Sequence, residues 1–89
     1  MNDSYAYYNI GNIKYSQQRL DDAIFYYEKA IEANPNDQYS INNLGNCLYD
    51  KGDKKQALDC YNKALELDPG YSNAYYNKAL CLKDNGQIK

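Results

Sequence analysis

The sequence predicts an all-α fold of about five helices, paired into hairpins that stack along the chain. One observation is composition: the 89 residues include no valine, threonine, tryptophan or histidine, so most residues that favour β-strands are missing. A second observation is that apolar residues recur at i, i+3, i+4 and i+7, which is the spacing of amphipathic helices. The third is an internal repeat with a period of about 34 residues, which is typical of stacked helical hairpins.

The internal repeat divides the chain, which we interpret as one domain over residues 1–89. Residues 4–37 align without a gap on residues 38–71 and share eleven identities, and a shorter third copy begins at residue 72. We therefore assign repeat one to 4–37, repeat two to 38–71, and a truncated third repeat or capping helix to 72–89. The full copies differ at 23 positions, which favours a natural array, or a piece of one, over an idealised design.

Each copy consists of two predicted helices. In the second copy, Ile41, Leu44 and Leu48 follow helical spacing until Gly52, and a second helical pattern ends at Asp68. Helices end there because a residue before proline is displaced from the helical region. The spacing predicts helices over residues 4–17, 20–33, 38–51, 54–67 and 72–86.

Small residues recur where the two helices of a hairpin are expected to cross. The predicted pairs are Gly11 facing Ala23 and Gly45 facing Ala57. Their small size would let the helices approach closely. Tyr27 and Tyr61 would then fill the space between neighbouring repeats, because neither hairpin can bury its apolar face alone.

These residues resemble the tetratricopeptide repeat, a helix-turn-helix of about 34 residues, and the resemblance extends from residue 4 to residue 89. In the second copy the motif is Ile41, Leu44, Gly45, Leu48, Ala57, Tyr61, Ala64 and Pro69. The resemblance implies a right-handed superhelix that acts as a non-catalytic protein-interaction scaffold, with a concave groove lined by the first helix of each repeat. The chain departs from the family pattern at Lys14, where a large apolar residue is usual, and at Gln18, which replaces the glycine found at Gly52.

The resemblance places a set of uncharged side chains in the groove, where a peptide or a partner's helix would bind. The candidate residues are Tyr5, Tyr8, Asn9, Asn12, Tyr15, Tyr39, Asn42, Asn43, Asn46, Tyr49, Asn73, Tyr76 and Asn77, with Leu80 beside them. Asparagine both donates to and accepts from a peptide backbone, and tyrosine gives broad amphipathic contact at low entropic cost. We therefore expect a neutral or aromatic-bearing ligand. The alternative is that these side chains only pack against neighbouring repeats.

One tetratricopeptide subfamily binds the acidic tails of heat-shock chaperones through basic residues and asparagines. Its clamp positions fall on Tyr8, Asn12, Asn43, Asn73 and Asn77, so all three basic residues of that clamp are missing. A carboxylate would lose charge-assisted hydrogen bonds worth about 1.5–3 kcal/mol each. Chaperone-tail binding is therefore not expected.

Charge and composition argue against several other classes of protein. Ten Lys and Arg against twelve Asp and Glu give a net charge of −2, which is unfavourable for nucleic-acid binding. No apolar run approaches the roughly 18 residues of a membrane span, and no secretory signal is visible, so we expect a cytoplasmic protein. Without histidine, a phosphate-binding loop or an activated nucleophile, we expect no enzyme activity, cofactor or metal. Cys47, Cys60 and Cys81 fit no zinc spacing and are expected to be reduced, largely buried thiols.

The C-terminal helix suggests a function of another class. Tyr75, Ala79 and Leu82 would lack part of their cover if the third copy stops after its first helix. A structural or self-assembling segment would bury this open helix against a second copy. A third alternative is a fragment without activity of its own, whose partner needs further repeats.

Overall fold

The computed structural model describes residues 3–84, which form five α-helices connected by short turns. The helices are α1 (Ser4–Ser16), α2 (Leu20–Ala33), α3 (Gln38–Asp50), α4 (Lys54–Leu67) and α5 (Ser72–Asp84). These residues contain no strand, and the predicted all-α class is confirmed. The last two residues of the predicted fifth helix, 85 and 86, lie outside the described part of the chain.

The helices pair as hairpins, and the hairpins stack. Helix α1 packs along α2 and α3 along α4, while α2 packs on α3 and α4 packs on α5. Smaller contacts connect α1 with α3 and α3 with α5. The first helices of successive repeats therefore lie side by side and form one continuous face of a slab that measures 45 × 27 × 16 Å.

The turn inside each hairpin ends its first helix in the same way. Gln18 (φ 61°) and Gly52 (φ 94°) have left-handed backbone conformations. Each donates its N–H to the carbonyl three residues earlier, and the N–H that follows reaches back five residues. This pair of bonds is the Schellman motif. It ends α1 and α3 at Ser16 and Asp50, one residue before the predicted bounds.

The second helix of each hairpin ends where the sequence predicts. Asn34 and Asp68, which precede prolines, are extended with φ of −145° and −141°. The Oδ1 atom of each accepts the backbone N–H two residues ahead, at 3.1 Å. Helices α2 and α4 therefore keep their predicted bounds, since local residue types alone determine these ends.

The core contains the same set of three residue types, alanine, tyrosine and cysteine, in two successive clusters. The first set, buried between the first hairpin and α3, is Ala23, Tyr27 and Cys47. The second set, one repeat later and against α5, is Ala57, Tyr61 and Cys81. A third cluster joins α3, α4 and α5 through Ile41, Ala64 and Ala74. As predicted, the two tyrosines fill the space between neighbouring repeats.

The two helical glycines lie closest to tyrosine rings of the second helix of their hairpins. A Cβ atom on Gly11 would lie 2.6 Å from the ring of Tyr27, and one on Gly45 would lie 2.8 Å from the ring of Tyr61. Each tyrosine lies one turn beyond the predicted alanine, Ala23 or Ala57, on the second helix, and its longer side chain covers the glycine.

The three cysteines are unpaired thiols. Cys47 and Cys81 are buried and Cys60 is partly buried. Burial, together with the nearby charge of Asp50, raises the pKa of Cys47 to about 12. Within residues 3–84 there is no group of His, Cys, Asp and Glu arranged to hold a metal ion, and no helix described there is long and apolar enough to cross a membrane.

Candidate ligand-binding groove

The candidate residues belong to α1, α3 and α5, and we call the surface that these three helices form the first-helix face. Ten of the thirteen belong to three zones that follow the helices from their N-terminal to their C-terminal ends. An aromatic row lies at the start, an asparagine ladder crosses the middle, and a pocket around Asp50 lies at the end. The same order of tyrosine, asparagine and tyrosine occurs in α1 and α3 because their sequences repeat.

The aromatic row consists of Tyr5, Tyr8, Tyr39 and Tyr71, the residue before α5. Successive ring centroids are 6.4, 6.3 and 5.4 Å apart, within the range of favourable aromatic pairs. Tyr5 is 73% exposed and Tyr39 is 49% exposed. A concavity of about 250 Å³ lies among the first three rings and Asp37. The row therefore offers accessible aromatic surface across the junction of two repeats.

Asp37 lines the same concavity, but hydrogen bonds surround its carboxylate. Oδ2 accepts from the hydroxyls of Ser4 at 2.8 Å and Ser40 at 2.6 Å, and Oδ1 accepts the Ser40 backbone N–H at 3.1 Å. All three residues are buried. This cluster caps α3 and fastens the start of α1 to it, so it supports the aromatic row rather than presenting a free charge.

The asparagine ladder connects the three first helices by amide hydrogen bonds. Asn77 Nδ2 donates to Asn42 Oδ1 at 3.2 Å, Asn42 Nδ2 to Asn43 Oδ1 at 3.4 Å, and Asn43 Nδ2 to Asn12 Oδ1 at 3.0 Å. Asn42 is only 2% exposed. These four candidates therefore hold α1, α3 and α5 together, and Asn42 in particular is covered by the fold.

Buried tyrosines orient two of the groove asparagines. The Tyr27 hydroxyl donates to Asn12 Oδ1, and the Tyr61 hydroxyl donates to Asn46 Oδ1 at 2.7 Å. Burial raises the pKa of both tyrosines above its ordinary value, so these hydroxyls keep their protons. Among residues 3–84 the amide nitrogens of the two asparagines donate no hydrogen bond, and neither nitrogen is fully buried. Asn12 in the first repeat and Asn46 in the second thus each offer the groove an unused amide NH2 group.

The Asp50 pocket lies at the C-terminal ends of α1 and α3 and has a volume of about 220 Å³. Its lining residues are Tyr15, Asn46, Tyr49, Asp50, Tyr61, Asn77 and Leu80. Asp50 Oδ2 accepts a hydrogen bond from the Tyr15 hydroxyl at 2.7 Å. Burial, and then this bond, raises the pKa of Tyr15 above its ordinary value. A second concavity, of about 690 Å³, shares Tyr15 and Asp50 as lining residues.

Asp50 corrects the expectation of an uncharged groove. It lies four residues after Asn46 and seven after Asn43, so helical spacing would have placed it on the same face. The remaining candidates are accessible or partly covered. Asn9, Asn73 and Tyr76 are exposed, and the Lys54 ammonium lies 4.8 Å from the ring centroid of the half-buried Tyr49.

Family models and solved structures agree with this architecture. The tetratricopeptide repeat model matches residues 4–37 and 39–71, and a second tetratricopeptide repeat model matches residues 60–89. No curated protein matches the chain.

Three solved structures are closely similar in fold. The crystal structure of MamA matches with a TM-score of 0.91 and 25% identity over 96% of this chain, which spans 50% of the MamA chain. The first and second TPR domains of Spaghetti (RPAP3), each bound to the HSP90 peptide SRMEEVD, match with TM-scores of 0.93 and 0.92 and identities of 21% and 19%. These matches also cover 96% of this chain, and 69% and 79% of the two RPAP3 chains. The chain belongs to the tetratricopeptide repeat family, whose members are protein–protein interaction modules.

Proposed function

We propose that the first-helix face binds an extended peptide segment of a partner protein. The observation that carries the proposal is the pair of unused amide donors on Asn12 and Asn46, one repeat apart. Each asparagine is oriented by a buried tyrosine hydroxyl and therefore needs little ordering when a ligand binds. Carbonyl groups of an extended backbone are the acceptors that such donors would meet.

The size of the concavities favours an extended segment over a helix. The concavity at the aromatic row and the Asp50 pocket measure about 250 and 220 Å³. Both are below the roughly 300–1,000 Å³ of pockets that enclose a whole small molecule, so each suits a single side chain. The larger concavity of about 690 Å³ lies against Gln18 and Leu20 at the turn of the first hairpin, and the proposed peptide groove does not include it. A helix, about 10–12 Å across with its side chains, would need an open trough instead. In this account peptide side chains enter the two concavities while the backbone meets the asparagines.

The solved RPAP3 domains hold a peptide, which supports a peptide as the class of ligand. Their peptide, SRMEEVD, is acidic. In this chain the groove has Tyr8, Asn73 and Asn77 at the basic positions of the chaperone clamp, and it presents Asp50. A carboxylate-rich segment would therefore lack the cationic partners of the chaperone clamp and meet the like charge of Asp50. We infer that the ligand is neutral or basic.

The proposal is tested first by selecting binders from a library of random twelve-residue peptides on the immobilised chain. The affinity of a selected peptide is then measured by calorimetry for two matched variants of the chain. Tyr39→Ala removes a half-exposed ring from the groove, and Phe25→Ala removes a similarly exposed ring from α2. We expect Tyr39→Ala to weaken binding about tenfold or more, as loss of an aromatic anchor does, and Phe25→Ala to leave it unchanged. Failure to select any peptide, or equal affinities for the two variants, would contradict the proposal.

A second candidate function is association of two copies through α5. Tyr75 is 52% exposed and Ala79 is also exposed, so one side of α5 is without cover among residues 3–84. In this case the mass measured by light scattering rises with concentration, and Tyr75→Lys abolishes the rise whereas Tyr39→Ala does not. A mass that stays near 10.3 kDa at all concentrations argues against this candidate.

A further inference from the structure

We propose that the Asp50 pocket receives a lysine or arginine side chain of the bound peptide, an inference that rests on the proposed function. The pocket combines a carboxylate with apolar and aromatic walls from Tyr15, Tyr49 and Leu80. Lysine and arginine have the complementary form, an alkyl stem that packs on apolar surface and a charged end that seeks an acceptor. A neutral side chain would leave the carboxylate unused.

The carboxylate is held in place but keeps acceptor capacity. The Tyr15 hydroxyl donates to Oδ2, whereas Oδ1 accepts no hydrogen bond from residues 3–84. A carboxylate has roughly four lone-pair sites, so both oxygens still accept further donors. An incoming ammonium or guanidinium group therefore finds a preoriented partner without displacing Tyr15.

The cations closest along the chain do not pair with Asp50. Lys51 pairs with Asp21 on α2, and Lys54 lies over the ring of Tyr49. Within residues 3–84 the only other ion pair joins Arg19 to Asp22. Asp50 thus forms no ion pair in the described part of the chain, and its carboxylate remains available to a cation from outside.

Helix orientation adds to the negative potential at this end of the groove. Asp50 is the last residue of α3, and Tyr15 lies in the last turn of α1. The C-terminal ends of helices carry partial negative charge, which favours a cation nearby. At the opposite end of the groove, the carboxylate of Asp37 is buried and already accepts hydrogen bonds from Ser4 and Ser40. Of the two carboxylates, that of Asp50 is therefore the one available to a cation of the ligand. The ligand orientation that follows places the basic residue at the C-terminal ends of α1 and α3.

A double-mutant cycle between chain and peptide tests this inference. One peptide is the tightest binder from the random selection. In the second peptide, norleucine replaces the lysine or arginine, which keeps an alkyl stem and removes the charge. On the chain, Asp50→Asn retains an acceptor for Tyr15, and Glu66→Gln makes the same charge change on the exposed side of α4. We expect norleucine to weaken binding to the unmodified chain and to Glu66→Gln about threefold to fivefold, because Asp50 is exposed, and to Asp50→Asn less than twofold.

The outcomes separate this inference from the proposed function. If selected peptides depend on Tyr39 but carry no basic residue, or if norleucine weakens binding to Asp50→Asn as much as to the unmodified chain, the basic-residue assignment is wrong and the peptide groove stands. If no peptide is selected, both proposals fail.

Discussion

At the scale of single residues, Gln18 and Gly52 occupy the same place in two successive hairpins but differ in conformational cost. Both have positive φ and both complete a Schellman motif. Glycine adopts this conformation without steric penalty, whereas a residue with a Cβ atom loses about 1–2 kcal/mol. Gln18 is therefore a strained position in the first hairpin.

Gln18→Gly should raise the free energy of unfolding by about 0.5–1 kcal/mol, because relief of strain outweighs the greater entropy of the unfolded glycine. The reverse change, Gly52→Gln, should lower it by about 1 kcal/mol. A Cβ at Gly52 would have no atom within 4 Å, so this cost comes from the backbone alone. Urea unfolding, monitored by circular dichroism, measures the change in the free energy of unfolding for both variants. Equal and negligible shifts would mean that neither turn is strained.

The asparagines show which residue-level features the sequence predicts. Helical spacing correctly placed Asn12, Asn43 and Asn46 on the first helices, because period alone determines the face. It also assigned Asn42 to the ligand surface, whereas α5 covers this residue and Asn77 bonds to it. Such coverage depends on how closely α3 and α5 approach, a distance that no periodic pattern contains. Asp50 was missed for a different reason. It has the helical spacing of the groove asparagines, but the candidate residues were chosen among tyrosines and asparagines, and Asp50 is neither.

At the scale of helices, close approach within each hairpin depends on a glycine beneath a tyrosine ring. A Cβ on Gly45 would lie 2.8 Å from the ring of Tyr61, closer than real contacts allow, and 3.1 Å from Cys60, which is a tight contact. The ring cannot move away freely, because its hydroxyl is bonded to Asn46 and its body is buried. Gly45 therefore sets the distance between α3 and α4, and through Asn46 it affects the groove as well.

Gly45→Ala should destabilise the chain by about 1–3 kcal/mol through overpacking, although alanine favours helix formation. Gly70→Ala is the matched control, since its nearest contact would be an ordinary 3.7 Å to Asp68 and its effect should stay within about 0.5 kcal/mol. Thermal and urea unfolding of the two variants provide the comparison. If both substitutions prove equally mild, the helices do not meet as closely as described.

At the scale of the whole molecule, burial makes several thiol and phenol groups weaker acids than they are in the unfolded chain. Burial raises the pKa of Cys47 to about 12 and of Cys60 to about 11, from an ordinary 9.0. Burial also raises the pKa of Tyr27 and Tyr61. The folded state thus retains protons that the unfolded state releases, and folding is favoured less as the pH increases past the unfolded values.

We expect the free energy of unfolding to be constant between pH 6 and 8 and to fall as the pH rises from about 9 toward 11. The stabilisation is fully present below the unfolded pKa of the thiols and is lost as the pH approaches their folded pKa. Cys47→Ala should reduce the slope by up to about 1.4 kcal/mol per pH unit, because one such proton is removed. Urea unfolding under reducing conditions across this pH range tests the expectation. A stability that stays level to pH 11 would contradict the burial of the thiols.

Peptide binding by the first-helix face, α1, α3 and α5, is the property from which the ligand and its orientation follow. Its most direct test is a nitrogen-15 NMR titration of the chain with the selected peptide, followed at backbone and asparagine side-chain amides. We expect the largest shifts at the side-chain amides of Asn12 and Asn46 and at the backbone of Tyr39 and Asp50, with α2 and α4 nearly unchanged. Shifts concentrated around Phe25 on α2, or confined to Tyr75 on the open side of α5, would contradict it.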